Sequence, residues 1–280
     1  MSEPVHENEY VLGVNDDEIA RLGLQHMAWR AHAFAAWNSA NIRPGQTWLD
    51  AGCGPGYASI DLAELLGPQG RVIAIDKSDV FLAALESRAR QRGLTNVTSQ
   101  RVDLESEEFP DARVNGAWCR WVLCFVANPR DVLRKIAAAL RPGGRIVLHE
   151  YFDYRAWRAA PPLPELEEFV AAVMTSWRHR GGEPDIALQI PAWLEELGLE
   201  VKHTRVIIDA PQPDTMTWAW LRAFVDVHRR RLADLGFLAA TRAEEIWRAF
   251  ELFESSPACR MIAPGVLEII AERRDSLRHR

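Results

Sequence analysis

The chain has 280 residues, 48% of them hydrophobic, with a formal net charge of −6 and an isoelectric point near 5.8. That much apolar material sustains a sizeable core, as one large domain or two small ones. The acidic balance offers no broad positive field to a polyphosphate backbone, so nucleic acid is disfavoured as a partner. Four cysteines without CxxC spacing predict neither a disulfide framework nor a metal site. The polar, acidic start lacks the basic-then-apolar order of a secretory signal, and no apolar run is long enough to span a bilayer. A cytoplasmic protein with no membrane partner is expected.

Asp16 and Asp17 open a segment with Ile19, Leu22, Met27, Ala31 and Phe34 at helical spacing, which predicts a long amphipathic helix ended before Pro44-Gly45. Residues 47–51 read as a strand, 58–66 as a helix closed by Gly67-Pro68, and 71–76 as a second strand, with Ser78 capping the next helix. Further strands are expected at 97–103, 116–121 and 145–151, and a helix at 130–140 ends at Pro142-Gly143-Gly144. Short apolar strands alternating with helices need parallel pairing through crossovers, because such strands are covered on both faces. The fold class expected is α/β, a doubly wound, mostly parallel, seven-stranded Rossmann-like sheet.

After residue 151 the rhythm changes. A proline-rich connector at 159–164 leads to helices at 165–180 and 193–197, a strand at 199–208, helices at 215–235 and 241–254, and a last strand at 266–272. The organisation expected is an N-terminal helical lid, 1–45, and a core, 46–280, with helical cap insertions after strands five and six, at about 152–198 and 211–262. Trp157, Trp177, Trp193, Trp218, Trp220 and Trp247 all lie beyond the fifth strand. They are either core residues or the walls of an aromatic pocket above the carboxyl edge of the sheet, where open α/β sheets bind ligands.

The stretch LDAGCGPGY, 49–57, follows the first strand with Gly52, Gly54 and Gly56 at alternate positions and Asp50 two places before the first. A glycine turn between strand and helix lets a ligand reach the backbone, and the following helix offers unpaired N–H groups. A dinucleotide fold uses GxGxxG to wrap a pyrophosphate, which a carboxylate in the same turn serves poorly. A ligand with an amino group or a cation suits Asp50 better.

These residues resemble the first motif of the class I S-adenosylmethionine-dependent methyltransferases, an acidic residue followed by GxGxG, and the opening segment around EYVLG, 9–13, resembles a bacterial small-molecule subset. Asp76, ending the second strand, sits where the family holds the cofactor ribose, and Asp103-Leu104 where it holds the adenine. The LRPGGR turn, 140–145, is also similar to the family's. The resemblance spans about 47–151. It implies S-adenosyl-L-methionine as cofactor and S-adenosyl-L-homocysteine as product, with Asp50, Gly52, Gly54, Gly56, Asp76, Asp103 and Leu104 at the cofactor and Tyr10 as a lid residue. Arg120 is a candidate for an acidic substrate, for the cofactor carboxylate or for a surface ion pair.

Methyl transfer from a sulfonium discharges a positive charge, so alignment dominates and a base is needed only for some acceptors. His149 is the first candidate base by its ordinary titration range, with Glu150, Tyr151 and Asp153 as rivals. The chain lacks the Asn/Asp-Pro-Pro-aromatic motif of nucleobase amino methylation, and Cys119 is not preceded by proline. A small-molecule acceptor, aromatic or hydrophobic, is therefore expected. An NAD(P)-dependent oxidoreductase and a catalytically silent binding protein of the same fold are the alternatives. Neither the acceptor atom nor the oligomeric state is written in these motifs.

Overall fold

A computed structural model describes residues 16–274. Strands β1 (Thr47–Ala51), β2 (Arg71–Asp76), β3 (Val97–Arg101), β4 (Val114–Arg120) and β5 (Leu140–Asp153) follow helix α1 (Asp16–Ser39). They are joined through helices α2 (Tyr57–Leu66), α3 (Asp79–Gln91) and α4 (Pro129–Ala139). Beyond β5 come β6 (Arg158–Ala160), α5 (Pro164–His179), α6 (Ile190–Glu196), β7 (Leu199–Ile207), α7 (Met216–Asp234), α8 (Ala240–Glu254), β8 (Arg260–Ile262) and β9 (Gly265–Arg273).

Seven strands form one sheet in the order β3-β2-β1-β4-β5-β9-β7. The first five pair in parallel, and β9 runs antiparallel between β5 and β7. The near-continuous apolar runs of β1, β2 and β4 are buried, which a strand covered on both faces requires. Gly116 in β4 lies under Trp48, whose ring a Cβ there would approach to 2.5 Å. Two hydrophobic clusters fill the layers beside the sheet, one around Trp37, Trp48 and Trp118, the other running from β5 into α5 and α7.

Local chemistry explains several boundaries. The Ser78 hydroxyl accepts the Phe81 amide at 3.3 Å and caps α3; Asn128 caps α4 ahead of Pro129; Thr215 caps α7. The Pro142-Gly143-Gly144 turn does not precede β5 as expected. Leu140 already pairs with Val114, and the turn is absorbed as a register shift inside the strand, with Gly143 at φ 72°. The ribbon of β6 and β8 pairs Arg158 with Ile262 and was not anticipated, since residues 159–164 read only as a connector.

The chain reverses direction across the sheet between β1 and β4, and the loops leaving these strands open a crevice at their carboxyl ends, the usual ligand site of such sheets. Helix α1 lies against α7 and α2 beside this crevice.

Candidate active site

A cavity of about 850 Å³ occupies the crevice, within the range of about 300–1,000 Å³ typical of small-molecule sites. Of the residues picked out in the sequence, Asp50, Gly52, Gly54, Asp76, Asp103 and Leu104 line it, and so does Arg120. Tyr10 lies outside the described residues. Gly56 and His149 are not part of its wall.

The three glycines differ. All have positive φ, 71°, 53° and 81° for Gly52, Gly54 and Gly56, which other residues adopt at a cost. A Cβ on Gly52 would come within 2.4 Å of Val122 and one on Gly56 within 2.2 Å of Leu85, whereas one on Gly54 would meet nothing within 4 Å. Gly52 and Gly56 are thus demanded by the protein's own packing, and Gly54 borders open space. Gly56, expected at the cofactor, is the left-handed N-cap of α2 and does not line the cavity, whereas Gly52 does.

Asp50 is buried and accepts the Ser59 hydroxyl at 2.5 Å. Burial pushes its carboxyl up to about 7 against the pull of that hydrogen bond and of nearby Arg120. Asp76 accepts the Gly54 amide on one oxygen and the Ser78 amide on the other, each at 2.9 Å; burial raises it too. A carboxylate oxygen has two lone pairs, so both can accept another donor from the cavity. Asp103 accepts the Glu105 amide at 3.0 Å. The buried Lys135 ammonium fixes the neighbouring backbone by donating to Leu104 O at 2.9 Å and Glu105 O at 3.1 Å. Sequence reasoning missed Lys135, although a lysine among Val132, Leu133 and Ile136 on the apolar face of α4 was a visible signal.

Arg120 ends β4 facing the cavity. Burial lowers it to about 10, and nearby Asp50 opposes that shift. Nη2 lies 3.2 Å from His26 Nδ1, while Nη1 is buried with no hydrogen-bond partner among the described residues. A buried guanidinium N–H left unsatisfied is costly.

The other half of the cavity is aromatic, walled by Trp121, Phe125, Tyr151, Trp177 and Phe224. Trp121 is sandwiched between Tyr151, at 5.3 Å and 14°, and Trp220, at 5.5 Å and 18°. Its φ of 51° is unfavourable for a bulky side chain, at about 1–3 kcal/mol, and is held by this stack. Of the six tryptophans beyond the fifth strand only Trp177 lines the cavity; Trp157, Trp218 and Trp220 are fully buried core. The strand-end pair Trp118 and Trp121 supplies the rest of the indole wall.

His149 is wholly buried between strands, 3.0 Å from Glu268 Oε2 and beside Trp118 and Trp29. Burial drives its imidazole down to about 4, against the pull of Glu268. It therefore holds β5 to β9 as a neutral ring, and the expected part as general base is withdrawn. Of the rivals, only Tyr151 lines the cavity.

A family model described as a methyltransferase domain matches residues 42–186, about half of the chain and the whole donor side of this cavity. The chain belongs to the methyltransferase-domain family. The class I S-adenosylmethionine-dependent resemblance read from the sequence is borne out. The methyltransferase domain is 31% identical over 153 residues to 2-phytyl-1,4-naphtoquinone methyltransferase of Synechococcus elongatus, covering 54% of this chain and 61% of that protein. It is 31% identical over 126 residues to demethylmenaquinone methyltransferase of Anoxybacillus flavithermus, covering 45% of this chain and 52% of that one. The chain thus spans between half and two thirds of the length of these curated relatives. Among solved structures, coclaurine N-methyltransferase aligns with a TM-score of 0.56 at 19% identity, covering 87% of this chain and 72% of that one. The cyclase SpnF aligns at 0.54 and 20%, covering 87% and 81%. At such identities the likeness is one of fold, and a fold shared with a cyclase does not fix the chemistry.

Proposed function

We propose that the protein is an S-adenosylmethionine-dependent methyltransferase acting in the cytoplasm on a small aromatic or hydrophobic acceptor, and not on nucleic acid. The observation that carries this reading is the junction of β1 and β4, where the open approach to Gly54, the carboxyls of Asp50 and Asp76 and the guanidinium of Arg120, whose Nη1 has no hydrogen-bond partner among the described residues, border one cavity. That set fits a ligand with an amino-acid end. Arg120 takes its carboxylate, Asp50 its ammonium, Asp76 the two ribose hydroxyls and Asp103 the adenine amino group, with Leu104 against the ring. The same set is hostile to the pyrophosphate of a dinucleotide, because Asp50, Asp76, Asp103 and Glu105 all crowd the donor side.

When bound, S-adenosylmethionine supplies a methyl group on a sulfonium. The chain's own contribution is alignment: rigid strand ends hold the donor side, and the Trp121 and Tyr151 wall excludes water and orients a flat acceptor. Fixing two reactants in such geometry is worth on the order of 7–11 kcal/mol. The relatives named for quinone methylation support an acceptor of this type. In this reading residues 1–45 form the lid, and the segments 152–198 and 211–262 the cap of the acceptor side.

Replacing Asp76 by Ala tests the reading. Losing a charged acceptor for two hydroxyls weakens S-adenosylhomocysteine binding by roughly 100-fold or more, read by calorimetry on protein that keeps its circular dichroism. Unchanged affinity in the folded variant removes Asp76 from the donor site and refutes the assignment.

A further inference from the structure

Helix α1 meets the core through a short polar chain that ends in the cavity. His26 Nδ1 lies 3.2 Å from Arg120 Nη2, and His26 Nε2 lies 2.9 Å from Asp61 Oδ2 on α2. Arg30, one turn further along α1, donates to the same carboxylate at 2.7 and 3.0 Å. The Tyr57 ring stacks on His26 at 5.9 Å and 18°, and its hydroxyl is held by Arg88 at 2.7 Å. A guanidinium has no acceptor, so Nδ1 must offer its lone pair and the imidazole proton must sit on Nε2, facing Asp61. His26 is buried, which lowers its pKa against the pull of Asp61 and favours this neutral form.

The charges along the chain run plus on Arg30, minus on Asp61, neutral at His26 and plus on Arg120. The neutral link matters. A carboxylate in place of His26 would neutralise Arg120 and compete with any anionic ligand, and a cation would repel it. A neutral acceptor fixes the guanidinium and leaves its charge unspent: Arg120 lines the cavity, and its buried Nη1 has no hydrogen-bond partner among the described residues. The rings of Trp118 and Trp121, 5.6 and 5.2 Å from the guanidinium carbon, border its other sides.

We propose that His26 is a positioning residue of the donor site: it holds Arg120 so that Nη1 meets the carboxylate of the donor's amino-acid end, which makes recognition of that carboxylate depend on the docking of α1. This rests on the function proposed above. It distinguishes His26 from a residue that merely anchors a helix, because its effect is confined to ligands that carry the carboxylate.

The test compares S-adenosylhomocysteine with 5′-methylthioadenosine, which keeps the nucleoside and the sulfur but lacks the amino-acid end. Both are titrated by calorimetry into wild type, Arg120→Met, His26→Leu, His26→Gln and His26→Glu. The expected result is a loss of about tenfold or more for S-adenosylhomocysteine in R120M and H26L, from one charged hydrogen bond, with 5′-methylthioadenosine unchanged. H26Q restores the affinity, because the amide oxygen accepts from Arg120 and its NH2 donates to Asp61. H26E keeps an acceptor for Arg120 but sets a second carboxylate against Asp61, and in folded protein it loses S-adenosylhomocysteine selectively; H26Q, which keeps both hydrogen bonds, keeps the test decisive if neither H26L nor H26E folds, because a loss of S-adenosylhomocysteine affinity in it contradicts the proposal. Equal weakening of both ligands in H26L, or wild-type affinity for S-adenosylhomocysteine in H26E, overturns the proposal. Failure of the wild type to bind either ligand refutes instead the donor site on which it rests.

Discussion

Asp50 is a buried carboxyl at the cavity whose protonation is tied to folding. Its folded-state pKa, about 7, lies above the ordinary carboxyl value of 3.8 because of burial. Between those values the folded chain holds a proton that the unfolded chain has released, so the Asp50 contribution to stability falls as pH rises from about 4 to about 7. Glu150, raised by burial from 4.5 to about 7, adds a slope of the same sign, and His149, lowered by burial from 6.5 to about 4, one of the opposite sign, so the Asp50 share is read as the difference between wild type and a variant. Asp50→Asn removes its own share, at most about 4 kcal/mol for a shift of three units. The variant should melt at a higher temperature than wild type at pH 8, with a smaller gain at pH 4, and lose affinity for S-adenosylhomocysteine. A stability difference between D50N and wild type that stays constant between pH 4 and 7 would place the titration elsewhere. The glycines carry a related lesson. GxGxG was legible as a motif, but only coordinates separate Gly54, which faces open space, from Gly52 and Gly56, which make room for Val122 and Leu85; those two neighbours come from distant parts of the chain.

At the scale of elements, α1 is held to the core by a few polar contacts on one side and by aromatic contacts on the other. Asp61 gathers Arg30 and His26. Towards α7, Trp220 donates to Gln25 at 3.2 Å and Arg21 lies over the Phe224 ring at 5.5 Å. Asp61→Ala strands His26 in a buried site and frees the half-exposed Arg30, at a cost of about 1–3 kcal/mol. Faster amide exchange across α1, with β1 and β4 unchanged, is the outcome expected from mass-resolved hydrogen exchange; uniform exchange across the chain would show that α1 does not open separately. The strands of the parallel half were legible because burial on both faces leaves continuous apolar runs such as Val72 to Ile75. The β6–β8 ribbon was not, because three-residue strands have no period and their pairing joins residues about a hundred positions apart. His149 misled for a similar reason: its place on the fifth strand was legible, but that strand runs on to Asp153 and the facing partner Glu268 belongs to the last strand.

For the molecule as a whole, the order of the sheet does the arranging. Reversal of the strand order between β1 and β4 opens the crevice, the acidic ends of β1 and β2 with the segment after β3 give it an acidic side, and β4, β5, α5 and α7 give it an aromatic side. The placing of the acidic side at the crevice was legible, since its residues sit at fixed offsets from strands that announce themselves. The aromatic side was only half so, because the sequence pointed to the late tryptophans while the wall also takes Trp118 and Trp121 at the end of β4, Tyr151 on β5, Phe125 in the turn after β4 and Phe224 on α7. No helix among the described residues is long and apolar enough to cross a membrane. The most direct measurement is a calorimetric titration of the full chain with S-adenosylhomocysteine and, separately, with NADH. Saturable binding of S-adenosylhomocysteine at one site per chain, with no heat from NADH, is the predicted result. Binding of NADH in preference to S-adenosylhomocysteine would contradict it.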